Sequence, residues 1–184
     1  MTTLSQTLRK MRGPDNKQAV SAVEELRARG WLSNGSMEGV MLCHAHLEGA
    51  DLFKADLRKV DFHQAHLLKA DLSGADLTGA KLARADLRGV NFSEAILQDA
   101  DLLKANLSGA NNLSEAQLSQ AKRLCFATMP DGLPYDGRFQ LPGDIELARW
   151  GKVDPGDAEA MAYFLGVSLQ TYLNGQTIVE KNAG

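Results

Sequence analysis

Apolar and polar residues follow a strict five-residue pattern in the middle of the chain, from Val40 to Gly109. In each of these fourteen blocks the first residue is Ala or Val, the third is Leu or Phe, and the others are mostly polar. An α-helix would scatter these apolar residues around its axis, so no coherent stripe would form. A continuous strand would place successive Leu residues on opposite faces, because five is an odd number. The pattern therefore predicts a short extended segment and a turn, repeated along the array.

The positions within a block predict the path of the chain. The first and third residues point inward, and the second, which is Asp in seven blocks and Asn in two, points outward. An outward Asp beside a turn is expected to accept hydrogen bonds from the turn amides. The fifth residue is Gly in five blocks, where a turn often requires a positive φ. If each turn is about a right angle, four blocks close one square coil of twenty residues.

Blocks such as Ala50–Lys54, Ala70–Gly74 and Ala105–Gly109 have the form A-(D/N)-L-x-x, which resembles the pentapeptide-repeat family. The resemblance covers about 70 of the 184 residues, without a gap in register. It implies a β-solenoid, specifically a right-handed quadrilateral β-helix. Fourteen blocks give about three and a half coils. At about 4.8 Å per coil the solenoid is about 17 Å tall.

Both ends of such a solenoid expose apolar side chains and unpaired backbone groups, so we predict α-helical segments that cap them. The sequence predicts four parts: an N-terminal helical cap at 1–36, the repeat β-helix at 37–111, a capping helix and turn at 112–132, and a loop with an amphipathic helix at 133–184.

Helix signals in the N-terminal flank begin at Asp15, which forms a capping box with Gln18. They predict a helix from Asn16 to Arg29 that ends at Gly30.

Helix signals in the C-terminal flank begin with a second box, from Ser114 to Gln117, which predicts a helix reaching Arg123. A turn at 130–132 follows. Prolines and glycines predict a loop at 133–156, before a helix from Asp157 to Leu173 that Asn174-Gly175 stops.

Composition and charge narrow the functional classes. The net charge of −3 gives no bulk attraction to nucleic acid or to an anionic membrane, so no direct contact with either is expected. Two distant cysteines do not form a disulfide framework, and they are typical of a reducing compartment. No secretory signal and no run of 18 apolar residues is found, so we expect a cytoplasmic protein.

Catalytic motifs are absent from the sequence: there is no phosphate-binding loop, nucleophile elbow, H-E-x-x-H or C-x-x-C. We therefore predict that the chain is not an enzyme and needs no cofactor.

One edge of the predicted solenoid concentrates metal-ligating side chains. Residues twenty apart stack in neighbouring coils, which places Cys43 over His63 and His46 over His66, with His44 at the same corner. Imidazole and thiolate ligands suit Zn²⁺, Cu or Ni²⁺. The alternative is an exposed polar edge that binds no metal.

Two classes of function remain open. The first is a structural or protein-interaction module with an unknown protein partner, which includes a homodimer through the helix Asp157–Leu173; the alternative for that helix is packing on the solenoid wall. The second is modulation of DNA gyrase by DNA mimicry. The repeats carry ten acidic and eight basic residues, a net charge of −2, which is a weak basis for mimicry.

Five outward positions of the repeats are apolar: Met41, Phe53, Leu68, Ile96 and Leu103. Either the terminal segments cover them or they belong to a partner surface.

Overall fold

The computed structural model describes residues 2–182, with side chains up to Thr177. Met1, Ala183 and Gly184, at the outer limits of the predicted N-terminal and C-terminal parts, lie outside the described residues. Within this range a β-solenoid follows two helices, α1 (Leu4–Met11) and α2 (Asn16–Ala28). Four helices come later in the chain: α3 (Glu115–Leu118), α4 (Pro142–Trp150), α5 (Ala158–Leu165) and α6 (Leu169–Asn182). None of the helices in residues 2–182 has the length and apolar character that crossing a membrane requires.

The solenoid has the predicted register of twenty residues. Parallel bridges join residues twenty apart, from Met41 with Asp61 to Asn91 with Asn111. The third residue of every block between Val40 and Gly109 is completely buried. The inward and outward positions and the four-block coil predicted from the sequence are therefore confirmed.

Each block points two donors and one acceptor toward the next coil. In the block that begins at Ala70, the Leu72 amide donates to the Asn91 carbonyl (3.0 Å) and the Gly74 amide donates to the Ser93 carbonyl (2.7 Å). The Ala70 carbonyl accepts from the Asn91 amide (3.1 Å). This face of a coil is consequently rich in N–H groups.

The opposite face of the same block presents two acceptors and one donor. The carbonyls of Asp71 and Ser73 accept from the amides of Leu52 (2.8 Å) and Lys54 (2.9 Å), while the Asp71 amide donates to Ala50. Because every block repeats this arrangement, the solenoid is polar along its axis, with a carbonyl-rich face at its first coil and an amide-rich face at its last.

The side chain of the second residue in a block accepts a hydrogen bond from the amide of the fourth residue, which, among the described residues, has no backbone partner in a neighbouring coil. Asp71 Oδ1 accepts from the Ser73 amide (3.0 Å) and from the Ser73 hydroxyl (2.6 Å). The same bond to the amide two residues later occurs in all nine blocks with Asp or Asn at the second position. The predicted pairing of these side chains with turn amides is confirmed.

The corners require a left-handed backbone in every block, not only in those with Gly. The fifth residue has a φ between 52° and 71° in all fourteen blocks, nine of which carry a larger residue there. At Gly74 a Cβ would lie 3.0 Å from Lys54 Cγ of the previous coil. Gly is therefore used at this corner because the stem of a lysine crosses it.

The coil continues beyond the predicted boundary at residue 111. Asp101 pairs with Arg123 and Asn106 pairs with Thr128, at a spacing of twenty-two residues. The single turn of α3 lies within this longer coil and ends at Leu118, so the helix predicted to reach Arg123 is wrong, and part of the predicted cap at 112–132 belongs to the solenoid.

The chain after the last coil differs from the predicted loop and single helix. Pro142 lies in the first turn of α4, where a proline favours a helix start, so 133–156 is not a loop. Gly166 ends α5 with a φ of 73°, which divides the predicted helix Asp157–Leu173. Gly175 does not stop α6: a Cβ there would lie 2.7 Å from Asp136 Cγ, so glycine permits close packing instead.

The N-terminal flank contains the predicted helix and one that was missed. α2 ends at Ala28, close to the predicted end, and Gly30 has a φ of 68°. α1 begins with a capping box between Thr3 and Gln6, a sequence signal that was available.

Side chains of this flank occupy the exposed carbonyls of the first coil. Arg12 Nε donates to the Met41 carbonyl (2.7 Å), and Asn16 Nδ2 donates to the Glu48 carbonyl (3.2 Å). Arg27 Nη2 donates to the carbonyls of Asp51 (2.8 Å) and Phe53 (3.2 Å).

Candidate functional site

The edge of the solenoid that carries the histidines brings together three side chains that can bind a metal: His46, Glu48 and His66. His46 and His66 form a bridge between adjacent coils, and their rings stack with centroids 4.5 Å apart and planes inclined by 6°. His46 Nδ1 lies 3.3 Å from Glu48 Oε1. One donor atom from each of these three residues lies within 4.8 Å of the other two. The stacking of His46 over His66 predicted from the sequence is therefore present.

The other predicted ligands lie outside this group. His44 and His63 meet edge to face, with ring centroids 6.4 Å apart. The Cys43 thiol faces the Asp61 carboxylate; burial and this negative charge raise the pKa of the thiol. A raised thiol pKa disfavours the thiolate that binds metal.

Glu48 is a candidate ligand that the sequence prediction did not include. It follows His46 by two residues, and both side chains project outward from one block. Its position is not evident from columns of residues twenty apart, because it comes from the same block as His46. The signal that could have found it is the pair His46-x-Glu48.

A buried carboxylate joins the last coil to the C-terminal helices. Asp144 is 3 % exposed, and its Oδ1 accepts hydrogen bonds from the amides of Leu124 (3.0 Å) and Cys125 (2.9 Å). Burial raises the pKa of Asp144, although these hydrogen bonds oppose the effect. Burial and the neighbouring Asp144 also raise the pKa of the Cys125 thiol. Perturbed pKa values often mark catalytic sites, but here the raised pKa of Asp144 follows from its burial, and that of Cys125 follows from burial and the neighbouring carboxylate.

Four aromatic residues near the C-terminal helices are exposed or half-buried, and they are called the aromatic surface here: Phe126 of the last coil, Trp150 of α4, and Tyr163 and Phe164 of α5. The rings of Phe126 and Phe164 are 5.4 Å apart, and a Cβ at position 151 would lie 3.5 Å from Phe164 Cε2. Trp150 is 80 % exposed and Tyr163 is 88 % exposed.

The outward apolar residues of the walls are only partly covered. Met41, Phe53 and Ile96 remain exposed, whereas Leu68 and Leu103 are half-buried. The three exposed side chains lie on different sides of the solenoid, because their positions in the twenty-residue coil differ. The walls therefore carry isolated apolar residues, and the larger aromatic group lies on the last coil and the C-terminal helices.

Comparison with known proteins identifies the repeats. A family model described as pentapeptide repeats matches the chain in eight copies, at residues 29–58, 55–93 and 85–122. No curated protein sequence matches the chain.

Two solved structures are similar to part of the chain. One is HetL, a pentapeptide repeat protein involved in heterocyst differentiation regulation from the cyanobacterium Nostoc sp. strain PCC 7120, with 36 % identity over 51 % of this chain and a TM-score of 0.36. The chain spans 38 % of the length of HetL. The other is a pentapeptide repeat protein from the Arabidopsis thaliana thylakoid lumen, with 32 % identity over 56 % of this chain and 72 % of the other, and a TM-score of 0.40. Since the family model matches residues 29–122, about half of the chain, this chain belongs to the pentapeptide repeat family.

Proposed function

We propose that the chain is a non-catalytic protein-interaction module, in which the solenoid is a rigid support and the aromatic surface of the C-terminal helices contacts the partner. The observation that carries this proposal is the exposure of Trp150 (80 %) and Tyr163 (88 %) on α4 and α5, the helix that also supplies the Phe164 ring in contact with Phe126. Tryptophan and tyrosine dominate the binding energy of many protein interfaces, because they bury a large area at a small entropic cost.

The helices at the two ends are assigned a second role, as caps. The N-terminal side chains Arg12, Asn16 and Arg27 occupy carbonyls of the first coil, and Asp144 accepts amides of the last. Occupied ends prevent another chain from adding to the solenoid by backbone pairing. In this proposal, association occurs through side chains of the C-terminal helices and not through the ends of the β-structure.

The partner that we test first is a second copy of this chain. Sedimentation velocity over a wide range of protein concentration should show a dimer that the double substitution Trp150→Ala and Tyr163→Ala converts to a monomer. The control is Lys59→Ala, because Lys59 is an exposed side chain on the solenoid wall. A protein that stays monomeric at every concentration contradicts the homodimer.

A different protein partner is tested by site-specific photo-crosslinking in host cells. A photoreactive residue at position 163 should give discrete crosslinked products, and the same residue at position 59 should not. Equal labelling from both positions, or none from position 163, contradicts the interaction module itself.

The alternative function, modulation of DNA gyrase by DNA mimicry, lacks a suitable charge distribution. Arg58 and Arg88 form two hydrogen bonds each with Asp56 and Asp86, two residues earlier in the same blocks. These arginines lower the pKa of both carboxylates, and they neutralise the charge that mimicry would display. We expect no inhibition and no fluoroquinolone protection in a gyrase supercoiling assay; either effect at micromolar protein would favour the alternative.

A further inference from the structure

We infer that His46, Glu48 and His66 form a binding site for a divalent transition-metal ion, for which Zn²⁺ is the best match. The site lies on the wall of the solenoid, and it is independent of the aromatic surface proposed above for a protein partner. It also differs from the set predicted from the sequence, since it includes Glu48 and excludes Cys43, His44 and His63.

The distances between the donor atoms are close to those of a tetrahedral ion. A zinc ion bonded at 2.0–2.1 Å to each donor separates them by about 3.3 Å. His46 Nδ1 and Glu48 Oε1 are already 3.3 Å apart, and the full set of three donors fits within 4.8 Å. Side-chain rotation that moves the His66 ring toward the other two would complete three bonds.

The backbone beneath the site is fixed, so metal binding requires no change of fold. The His66 amide donates to the Ala45 carbonyl (2.9 Å), and the Leu47 amide donates to the His66 carbonyl (2.7 Å). These bonds hold the backbone of His46 and His66 at the spacing of adjacent coils, so only side chains must move when an ion binds. The two rings must leave their parallel stack, because an imidazole nitrogen binds a metal ion in the plane of its ring.

An unpaired acceptor gives an independent reason to expect a cation here. Glu48 Oε2 is shielded from solvent and, within the part of the chain that the structure describes, has no hydrogen-bond partner. Asn16 Oδ1 is in the same condition, while Asn16 Nδ2 donates to the Glu48 carbonyl. Removing a carboxylate oxygen from water without a partner is costly, and a cation bound to Oε1 of the same carboxylate would offset part of that cost.

The ligand types select the class of metal. Two imidazoles and one carboxylate suit Zn²⁺, Ni²⁺ and Cu²⁺, whereas Ca²⁺ and Mg²⁺ prefer oxygen ligands alone. Three protein ligands leave a fourth position for water. His66 is exposed, and this open side gives an ion access from solvent.

Isothermal titration calorimetry at pH 7.5 tests the site. The sample is the full chain without a histidine tag, from which a chelator has removed any metal. Zn²⁺ should bind with a stoichiometry of one, and Ca²⁺ should give no heat. His66→Ala and Glu48→Gln should each abolish the heat. The matched control His63→Ala removes a histidine three residues from His66, and it should leave binding unchanged.

Cobalt spectroscopy then identifies the ligands. Co²⁺ bound to His46, Glu48 and His66 should show visible d–d bands without the near-ultraviolet band of a thiolate ligand. Far-UV circular dichroism of each variant verifies the fold, which we expect to persist because His66 is exposed and Gln is close in size to Glu.

Three results would overturn the inference: no heat with Zn²⁺, binding that survives His66→Ala in a folded variant, or a thiolate band that Cys43→Ser removes.

Discussion

The two ends of the solenoid make hydrogen bonds of opposite direction with the flanking segments. At the first coil, side chains of α2 and of the connection between α1 and α2 donate hydrogen bonds to exposed carbonyls. At the last coil, one buried carboxylate accepts two backbone amides. The difference follows from the backbone, since each block presents two carbonyls toward the first coil and two amides toward the last. A parallel solenoid therefore requires donors at one end and acceptors at the other.

Burial also distinguishes the two ends. The Arg27 side chain is 37 % exposed, so water can replace the bonds it makes. Asp144 is 3 % exposed, so water cannot easily replace its bonds. The same number of lost hydrogen bonds should consequently cost more at the last coil than at the first.

The largest expected loss of stability comes from a substitution in the buried core of the solenoid. Leu72→Asp places a charge in a position that is completely buried, at a cost of several kcal/mol, comparable to the total stability of about 5–15 kcal/mol. Far-UV circular dichroism and urea titration should show loss of the native fold.

The control for that variant is Asp71→Ala, one residue earlier and outward-facing. It removes bonds to Ser73 and Asn91, so we expect a cost of about 1–2 kcal/mol and a folded protein. Equal losses from the two substitutions would contradict the inward and outward register.

The second effect is specific to the last coil. Asp144→Ala leaves the amides of Leu124 and Cys125 without their acceptor in a buried site, and should lower the free energy of unfolding by about 2–5 kcal/mol. Asp144→Asn keeps an acceptor oxygen and should cost less than half as much. Urea denaturation measures both values, and an Asn variant as unstable as the Ala variant would contradict the role of the acceptor.

The third effect uses pH to examine the same carboxylate. Burial raises the pKa of Asp144 in the folded state, so the folded state binds this proton more tightly than the unfolded state, whose pKa is about 3.9. The stabilising contribution is complete below that value and is lost as pH rises through the folded pKa. The stability of the wild type relative to Asp144→Asn should therefore fall from acidic to neutral pH in urea titrations. A rising difference would mean that the hydrogen bonds outweigh burial.

The smallest expected loss of stability comes from a substitution at the first coil. Arg27→Ala removes two bonds to carbonyls and an exposed ion pair with Asp51, and should cost about 0.5–1.5 kcal/mol. Arg27→Met, which keeps an apolar stem, serves as the comparison for packing. A loss equal to that of Asp144→Ala would show that exposure does not separate the two ends.

The repeats could be predicted from sequence because the residues within each block determine its conformation. Inward Leu and Ala, an Asp that pairs with the turn amide and a constant period leave one solution for the chain path. The nine non-glycine residues with positive φ were not foreseeable one by one, because the coil imposes this conformation on Lys69 or Arg84 regardless of local preference.

The C-terminal part was predicted less well because its signals depend on contacts between distant residues. Gly175 allows the helix to pack closely against Asp136, although Asn174-Gly175 is typical of a helix end. Arg123 continues the coil only because α3 contributes two extra residues before it. Glu48 joins the histidine edge through its side-chain direction, which a comparison of columns alone does not include.

The division of one coil into four blocks couples length to orientation. Duplication of one block during evolution would turn everything after it by about a quarter of a revolution around the solenoid axis. Duplication of four blocks would lengthen the rod by about 4.8 Å and leave its C-terminal surface facing the same way. The direction in which Trp150 and Tyr163 point is therefore encoded in the number of repeats, and a gene that gains or loses a single block acquires a differently aimed surface on the same support.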